Sequence, residues 1–182
     1  MTFAMQPPDA DEVKVPGSTP SSEQEFEELT GYFKADDWKK DVINGRIIAV
    51  GLDSSAESQA AFFWAVNNFI KTSNDSIKNK LVLLTCIPEN CSEGNKVRFR
   101  NFLQTNFEKA RNLIGPNVPL RAIIVYGDPR DGICNMVEKL NADVLVIGTR
   151  GLTGVRRAMM GSVSDYLSKH SHCPCLIVRG VC

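Results

Sequence analysis

The hydrophobic pattern of the chain changes near residue 45. Beyond that point, short and continuously apolar runs alternate with longer stretches in which apolar residues recur every three or four positions. A continuous apolar run is typical of a strand that is buried on both faces, as the strands of parallel sheets are. We therefore predict five strands, at residues 47–50, 81–84, 122–125, 144–147 and 175–178.

The stretches between these runs have helical periodicity. Ser54-Ser55-Ala56-Glu57 predicts a capping box that begins the first helix, and further helices are predicted at about 96–114, 133–140 and 162–170. The alternation of strand and helix predicts one doubly wound, Rossmann-like α/β domain over residues 46–182. In this domain a five-stranded parallel sheet carries helices on both faces.

Residues 1–45 have a different composition and are predicted to form a separate N-terminal extension. Proline, serine and acidic residues dominate its first half, which cannot bury enough apolar surface to offset the entropy of ordering, so we predict a flexible acidic tail. Apolar residues within 25–42 recur at helical spacing and predict a short helix packed on the domain, with a docking segment for a partner as the alternative. Ten acidic residues and four lysines give 1–45 a net charge of −6, and because the whole chain has 21 residues of each sign, the remainder carries +6.

Composition also narrows the class of protein. The basic excess of the domain suits a small anionic ligand but is too diffuse for a nucleic-acid groove. No apolar run reaches eighteen residues, so we expect no membrane span. The six cysteines form no repeating framework, and no signal-peptide pattern opens the chain, so we expect a reducing compartment, most simply the cytoplasm.

The glycine-rich stretch after the fourth strand is the strongest candidate for a ligand site. Open α/β sheets bind ligands beyond the carboxyl ends of their strands, where the strand order reverses. Residues 148–162 contain four glycines and three arginines, and Gly161-Ser162 begins the next helix. Glycines let backbone amides approach a polyphosphate, and a helix N-terminus attracts anions. A plain glycine-rich turn with an N-cap is the alternative.

The spacing of these glycines resembles the ATP-binding signature of the universal stress protein family. The match consists of Gly148, two residues, Gly151, nine residues, and then Gly161-Ser162. The surrounding strands and helices resemble that family throughout the domain. The resemblance implies that the ligand is ATP, with Mg²⁺ as a candidate companion, and that its phosphates contact Gly148, Gly151, Gly161, Ser162 and the amide of Val163.

The resemblance also implies nucleoside contacts at the ends of the earlier strands. Asp53 would hold the ribose hydroxyls, Gly51 and Leu52 would border the nucleoside, and Cys86 would offer a backbone group to the adenine edge. Gly127, in a Gly-Asp-Pro turn after the third strand, would lie beside the nucleotide. For Asp53 the alternative is a capping carboxylate of the following helix, and for the turn it is a proline that starts a helix.

Signatures of nucleotide-dependent enzymes are missing. The glycines do not form Gly-x-Gly-x-x-Gly, and no Gly-Lys-Ser/Thr loop is present. The stretch from His170 to Cys175 gathers imidazoles and thiols, but its spacing fits a helix end followed by a strand better than a zinc site. We expect no catalytic residues, no metal ligands and at most weak ATP hydrolysis.

The resulting hypothesis is an ATP-binding universal stress protein that acts as a nucleotide-dependent switch or signalling module in the stress response. An unidentified protein partner would read its state. The alternatives are a slow ATPase or other enzyme of adenylate chemistry, and a nucleotide-independent dimeric interaction module. The short apolar strand at the end of the chain predicts an exposed sheet edge, and we expect a homodimer through it.

Overall fold

Six strands form one sheet in the described part of the chain, which comprises residues 26–29, 45–72, 79–149 and 160–180 of the computed structural model. In chain order they are β1 (Phe26–Glu28), β2 (Ile47–Gly51), β3 (Lys80–Ile87), β4 (Leu120–Tyr126), β5 (Val144–Gly148) and β6 (Cys175–Val178). Their spatial order is β1-β4-β3-β2-β5-β6. Strands β2 to β6 are parallel, as predicted, whereas β1 pairs with β4 in antiparallel orientation.

Helices cover both faces of this sheet. Within the described residues they are α1 (Ala56–Ala65), α2 (Glu93–Ile114), α3 (Pro129–Lys139) and α4 (Ser162–His170). Helix α1 continues into a π-helical turn, Val66–Ile70, in which the N–H of Lys71 donates to the carbonyl of Val66 at 2.9 Å. None of the helices in these ranges has the length and apolar character that crossing a bilayer requires.

Alternating strand residues supply two separate hydrophobic cores. In β2, Ile48 and Val50 pack in the core formed with α1 and α2, whereas Ala49 packs in the core formed with α3 and α4. Phe62 of α1 and Leu167 of α4 are fully buried, one in each core. Burial on both faces is the reason that the parallel strands are apolar at most positions.

Strand β1 corrects the prediction of a helix within 25–42. Phe26, Glu27 and Glu28 pair with Val125, Ile124 and Ile123 at the outer edge of β4. The sheet therefore has six strands rather than the five predicted. The edge of β4 offers backbone partners to an extended segment, and this pairing overrides the helical spacing of the apolar residues. The flexible tail and the remainder of the predicted helix, at 1–25 and 30–44, lie outside the described residues.

The start of α1 also differs from the predicted capping box. Ser55 is the N-cap, and its hydroxyl accepts a hydrogen bond from the N–H of Ser58 at 3.1 Å. Because the helix begins at Ala56, its third position is Ser58, and Glu57 lies one residue too early to close a capping box. The Ser58 hydroxyl donates to the carbonyl of Asp53 at 2.8 Å, so this cap ties α1 to the end of β2.

Candidate functional site

The strand order reverses between β2 and β5. From β2 the chain proceeds to β3 on one side, and from β5 it proceeds to β6 on the other, while Val50 and Val146 are directly paired between them. The connections that leave the carboxyl ends of β2 and β5 therefore diverge to opposite sides and open a crevice there. Asp53 follows β2 and Thr149 follows β5, so both residues lie at this edge.

The N-terminus of α4 is anchored at the same edge. Gly161 is its N-cap, with φ −74° and ψ 153°, and the N–H of Gly161 donates to the carbonyl of Thr149 at 2.8 Å. The N–H of Thr149 in turn donates to the carbonyl of Val178 at 3.1 Å, and the hydroxyl of Ser164 donates to the carbonyl of Gly148 at 2.8 Å. These three bonds hold the first turn of α4 against the ends of β5 and β6.

The first-turn amides of α4 are the candidate phosphate ligands. No side chain caps the helix, and the N–H groups of Ser162, Val163 and Ser164 have no acceptor among the described residues. Three adjacent donors at the positive end of a helix form a site suited to an anion. Ser162 and Val163 stay predicted phosphate contacts, and the amide of Ser164, which the sequence did not single out, is a further candidate. The N–H of Gly161 is already engaged by Thr149.

Gly148 has a packing role that the sequence pattern did not indicate. A Cβ atom at this position would lie 2.6 Å from the carbonyl carbon of Glu57 and 2.8 Å from the N–H nitrogen of Ser58. The first turn of α1 therefore crosses β5 at a distance that only glycine permits. Gly151, predicted as a phosphate contact, lies outside the described residues, as do the three arginines of the same stretch.

Asp53 is half-buried at the mouth of the crevice and has the capping geometry that was its alternative interpretation. Its Oδ1 accepts hydrogen bonds from the N–H of Ser55, at 3.2 Å, and from the Ser55 hydroxyl. Its own N–H donates to the Ser58 hydroxyl at 3.3 Å. This network fixes the backbone and one carboxylate oxygen of Asp53 at the edge where a ribose is predicted to bind.

Leu52 continues the pairing of β2 beyond Gly51, the last residue of the regular strand. The N–H of Leu52 donates to the carbonyl of Leu84 at 2.7 Å, and the Thr85 hydroxyl donates to the carbonyl of Leu52 at 3.1 Å. A Cβ at Gly51 would lie 2.9 Å from the Cγ2 atom of Ile147, which is the end of a side chain. Both backbone polar groups of Leu52 are thus used inside the protein, so its contribution to a ligand would come from its position and not from a free hydrogen-bonding group.

Cys86 and Gly127 meet at the ends of β3 and β4. The Cys86 thiol donates to the carbonyl of Gly127 at 3.3 Å, and the N–H of Gly127 donates to the carbonyl of Ile87 at 2.9 Å. Gly127 has a φ of +116°, which favours glycine at this turn. Burial, with a smaller effect of the Asp128 charge, raises the pKa of Cys86 to about 12. The thiol is therefore protonated at physiological pH, and a backbone contact between Cys86 and a ligand would not depend on it.

The residues after Gly127 form the helix start that was the alternative for this turn. Asp128 is the N-cap of α3 and accepts from the N–H of Arg130 at 2.8 Å, and Pro129 occupies the first helical position. The Arg130 guanidinium also binds the Asp128 carboxylate, and this contact holds the pKa of Asp128 below its usual range. Asp128 therefore has a structural partner on its own helix.

The two histidines near the end of α4 contact groups on α4 and α3. His170 lies 2.9 Å from the carbonyl of Tyr166 through its Nδ1 and stacks on the Tyr166 ring, as expected for a helix C-terminus. His172 Nε2 lies 3.2 Å from a carboxylate oxygen of Glu138. Across residues 26–29, 45–72, 79–149 and 160–180, no three His, Cys, Asp or Glu side chains are grouped to hold a metal ion.

Comparison with known proteins places the domain in a family. The universal stress protein family model matches residues 45–179, and the chain belongs to that family. The universal stress protein A-like protein of Arabidopsis thaliana is 26% identical over 151 residues, which cover 75% of this chain and 86% of the relative.

Solved structures give the same fold. A universal stress protein of Arabidopsis thaliana with AMP bound has a TM-score of 0.56 and 23% identity, over 75% of this chain and 92% of that protein. A universal stress protein in complex with cAMP has a TM-score of 0.56 and 22% identity, over 75% of this chain and 98% of that protein. The shared fold includes the doubly wound sheet on which the crevice is built.

Proposed function

We propose that this protein binds ATP at the crevice between β2 and β5 and acts as a nucleotide-dependent switch in the stress response. The single observation that carries this proposal is the anchored start of α4. There the amides of Ser162, Val163 and Ser164 lack acceptors among the described residues. They lie at the N-terminus of the helix, which is the positive end of its dipole. The basic excess of residues 46–182 adds a favourable field for an anionic ligand.

The adenosine part of the ligand is assigned to the ends of β2, β3 and β4. Asp53 would accept hydrogen bonds from the ribose hydroxyls, and the backbone near Cys86 and Gly127 would border the adenine. Support comes from the order of these strands, which places their carboxyl ends side by side at one edge. It also comes from relatives of the same fold that were determined with AMP and with cAMP.

Glycines 148, 151 and 161 enter this proposal with different roles. Gly148 brings α1 close to β5 and so shapes the crevice from behind. Gly161 places no side chain in front of the amides of α4 while its own N–H is bonded to Thr149. Gly151 is proposed as a direct phosphate neighbour by the resemblance alone, and Mg²⁺ would accompany the phosphates.

A switch fits the described residues better than an enzyme does. Both histidines lie at the C-terminal end of α4 or just beyond it, at the opposite end of the helix from the proposed phosphate site. The Asp53 carboxylate accepts from the N–H and the hydroxyl of Ser55, so the described contacts give it a capping role. Switching requires that ATP bind one conformation or assembly more tightly than another.

We further propose that two copies join through β6. This strand is at the edge of the sheet, and its four residues are only half-buried in the isolated chain. An edge strand of this kind can add its outer backbone groups to the same strand of a second copy. Nucleotide binding could then act by changing the stability or the arrangement of this dimer.

Isothermal titration calorimetry with ATP, AMP and adenosine tests the ligand. The full chain is first freed of copurified nucleotide, whose identity is established by mass spectrometry after denaturation. We expect ATP to bind most tightly and adenosine most weakly, because only the phosphates contact the α4 amides. Absence of ATP affinity at saturating nucleotide would refute the switch and favour the nucleotide-independent interaction module.

Measurement of ATP turnover separates the switch from the ATPase alternative. We expect little or no product beyond one equivalent per chain over hours. Sustained multiple turnover would instead assign the protein to adenylate chemistry. Light scattering with and without ATP then reports whether the nucleotide changes the assembly.

A further inference from the structure

Side chains on both faces of the sheet form hydrogen bonds with residues of strand β1. On the side of α2, a Glu27 carboxylate oxygen accepts from Arg100 Nε at 3.0 Å and from the Tyr126 hydroxyl at 2.8 Å. Arg100 also donates to the Tyr126 hydroxyl at 2.7 Å, which closes a three-membered network. On the opposite face, Glu28 forms a bidentate pair with Arg121, through Nε at 2.7 Å and a terminal nitrogen at 2.5 Å.

A cation–π contact and a core contact hold the two ends of this short segment. The ammonium group of Lys139 on α3 lies 4.3 Å from the centre of the Phe26 ring. Leu29 packs against the core formed with α1 and α2, and its N–H donates to the carbonyl of Ala122 at 2.9 Å. Four successive residues, Phe-Glu-Glu-Leu, therefore each have a dedicated partner on the domain. The set of partners, Arg100, Arg121, Tyr126 and Lys139 along the edge of β4, is called the β4 docking site below.

This arrangement has the form of a peptide bound to a receptor. An extended segment adds to a sheet edge through its backbone, and pockets of matched charge select alternate side chains. The side chains of Glu28 and Arg121 are 23% and 14% exposed, so their bidentate pair is largely shielded from solvent. The planar guanidinium of Arg121 donates two hydrogen bonds to the two carboxylate oxygens of Glu28. A lysine ammonium group does not have this bidentate geometry.

The connection to the domain does not itself force this docking. With strands about 4.8 Å apart and a rise of about 3.3 Å per residue, Leu29 and Gly45 are separated by roughly 22 Å. The fifteen residues between them, 30–44, can span up to about 50 Å when extended. The specificity of the contact therefore resides in the β4 docking site and in the four residues that occupy it.

We propose that the β4 docking site is a recognition site for an extended acidic segment of another protein, with the pattern apolar-Glu-Glu-apolar. Residues 26–29 occupy this site in cis and compete with that partner. The charge of the site selects an acidic ligand, since three cationic side chains border it. The tether keeps the internal competitor at an effective concentration of the order of millimolar, so the partner binds when the internal strand is weakened.

Peptide binding to full-length variants tests this proposal. The probe is a fluorescein-labelled peptide with the sequence of residues 24–31, Gln-Glu-Phe-Glu-Glu-Leu-Thr-Gly. The Glu27→Lys/Glu28→Lys variant releases the internal strand and leaves the β4 docking site intact. We expect fluorescence polarisation to show at least tenfold tighter peptide binding to this variant than to the wild type, because the cis competitor is lost.

Charge reversal at the site supplies the matched control. Adding Arg121→Glu to the released variant should abolish binding of the probe, and a peptide in which the glutamate corresponding to Glu28 is replaced by lysine should restore it. Restoration shows that the variant is folded and that the contact is the one seen for Glu28. If the released variant does not bind the probe, or if Arg121→Glu leaves binding unchanged, the proposal is wrong.

A mass measurement distinguishes the source of the occupant. The assembly of the wild type measured by light scattering is the reference, and we expect the full-length Arg121→Glu variant to keep it. The Arg121→Glu variant could instead have a lower mass than the wild type, or excess unlabelled peptide could lower the mass of the wild type. Either result would show that the occupant is residues 26–29 of a second copy. Such a result would overturn the assignment to a different protein.

Discussion

Gly161 donates its N–H to the carbonyl of Thr149 at 2.8 Å, and this bond joins the start of α4 to the end of β5. It determines which amides are left for a ligand. The N-cap amide is consumed inside the protein, and the donors of Ser162, Val163 and Ser164 follow it in the first helical turn. Predictions about nucleotide affinity can therefore be aimed at single N–H groups.

Ser162→Pro should weaken ATP binding about tenfold relative to Ser162→Ala, because it removes one charge-assisted amide hydrogen bond. Proline is tolerated at the first position of a helix, and Gly161 already has the extended backbone that a following proline requires. Calorimetry with ATP and adenosine measures the effect. Ser162→Ala is the control that keeps the amide and removes only the hydroxyl. Equal losses for ATP and adenosine would show that this amide does not contact phosphate.

Gly148→Ala should destabilise the fold by about 1–3 kcal/mol, since the new methyl group overlaps the backbone of Glu57 and Ser58. Urea unfolding followed by circular dichroism measures the free energy of unfolding. Gly94→Ala is the matched control, because a Cβ at Gly94 meets no atom within 4 Å and the residue is helical. That control should leave stability unchanged or raise it by up to about 1 kcal/mol. Similar effects at the two positions would contradict the close crossing of α1 over β5.

Ile177→Pro should shift the protein toward the monomer in light scattering. The carbonyls of Pro174 and Val178 accept bonds from β5, so the backbone groups of Ile177 point, by alternation, to the outer side of β6. The proline therefore removes an outward N–H and leaves the β5–β6 ladder intact. Circular dichroism serves as the check that the fold is retained. A wild type that is monomeric at high concentration would remove the basis for this prediction.

Stability should fall as the pH rises above about 9, in part because of Cys86. Burial raises the pKa of this thiol to about 12 in the folded protein, whereas a thiol in the unfolded chain titrates near its usual value of about 8.5. A raised folded-state pKa contributes stability that is complete below the unfolded value and is lost as the pH rises toward 12. The loss is at most about 1.4 kcal/mol per pH unit for one such group.

Unfolding experiments on Cys86→Ala between pH 8 and 11 check this dependence. The variant should have lower stability at pH 8 but a shallower decline. Cys175, whose pKa burial raises to about 11, contributes a second part of the slope, and Cys175→Ala should reduce it independently. An unchanged slope in both variants would show that neither buried thiol controls the alkaline limit.

The sequence by itself determined the five parallel strands of the sheet and indicated where a ligand site is expected. Five apolar runs are visible without a structure because successive residues of a strand that is buried on both faces are mostly apolar, as Val82 and Leu83 of β3 are. The sequence also predicted the start of α4 at Ser162, because this residue follows a glycine-rich stretch at the end of a strand. These features depend on neighbouring residues, and local periodicity records them.

Only the tertiary structure decided which groups at these places are engaged. The spacing of Phe26 and Leu29 suits a helix, yet the segment is a strand because Arg100 and Arg121, 73 and 93 residues away from their glutamate partners, lie beside the edge of β4. Gly148 stays a predicted phosphate contact, but the need for glycine at this position comes from the nearby backbone of Glu57. Such contacts join residues that are far apart in the chain. They stabilise the structure only after the sheet and its helices have brought those residues together, so local sequence patterns do not reveal them.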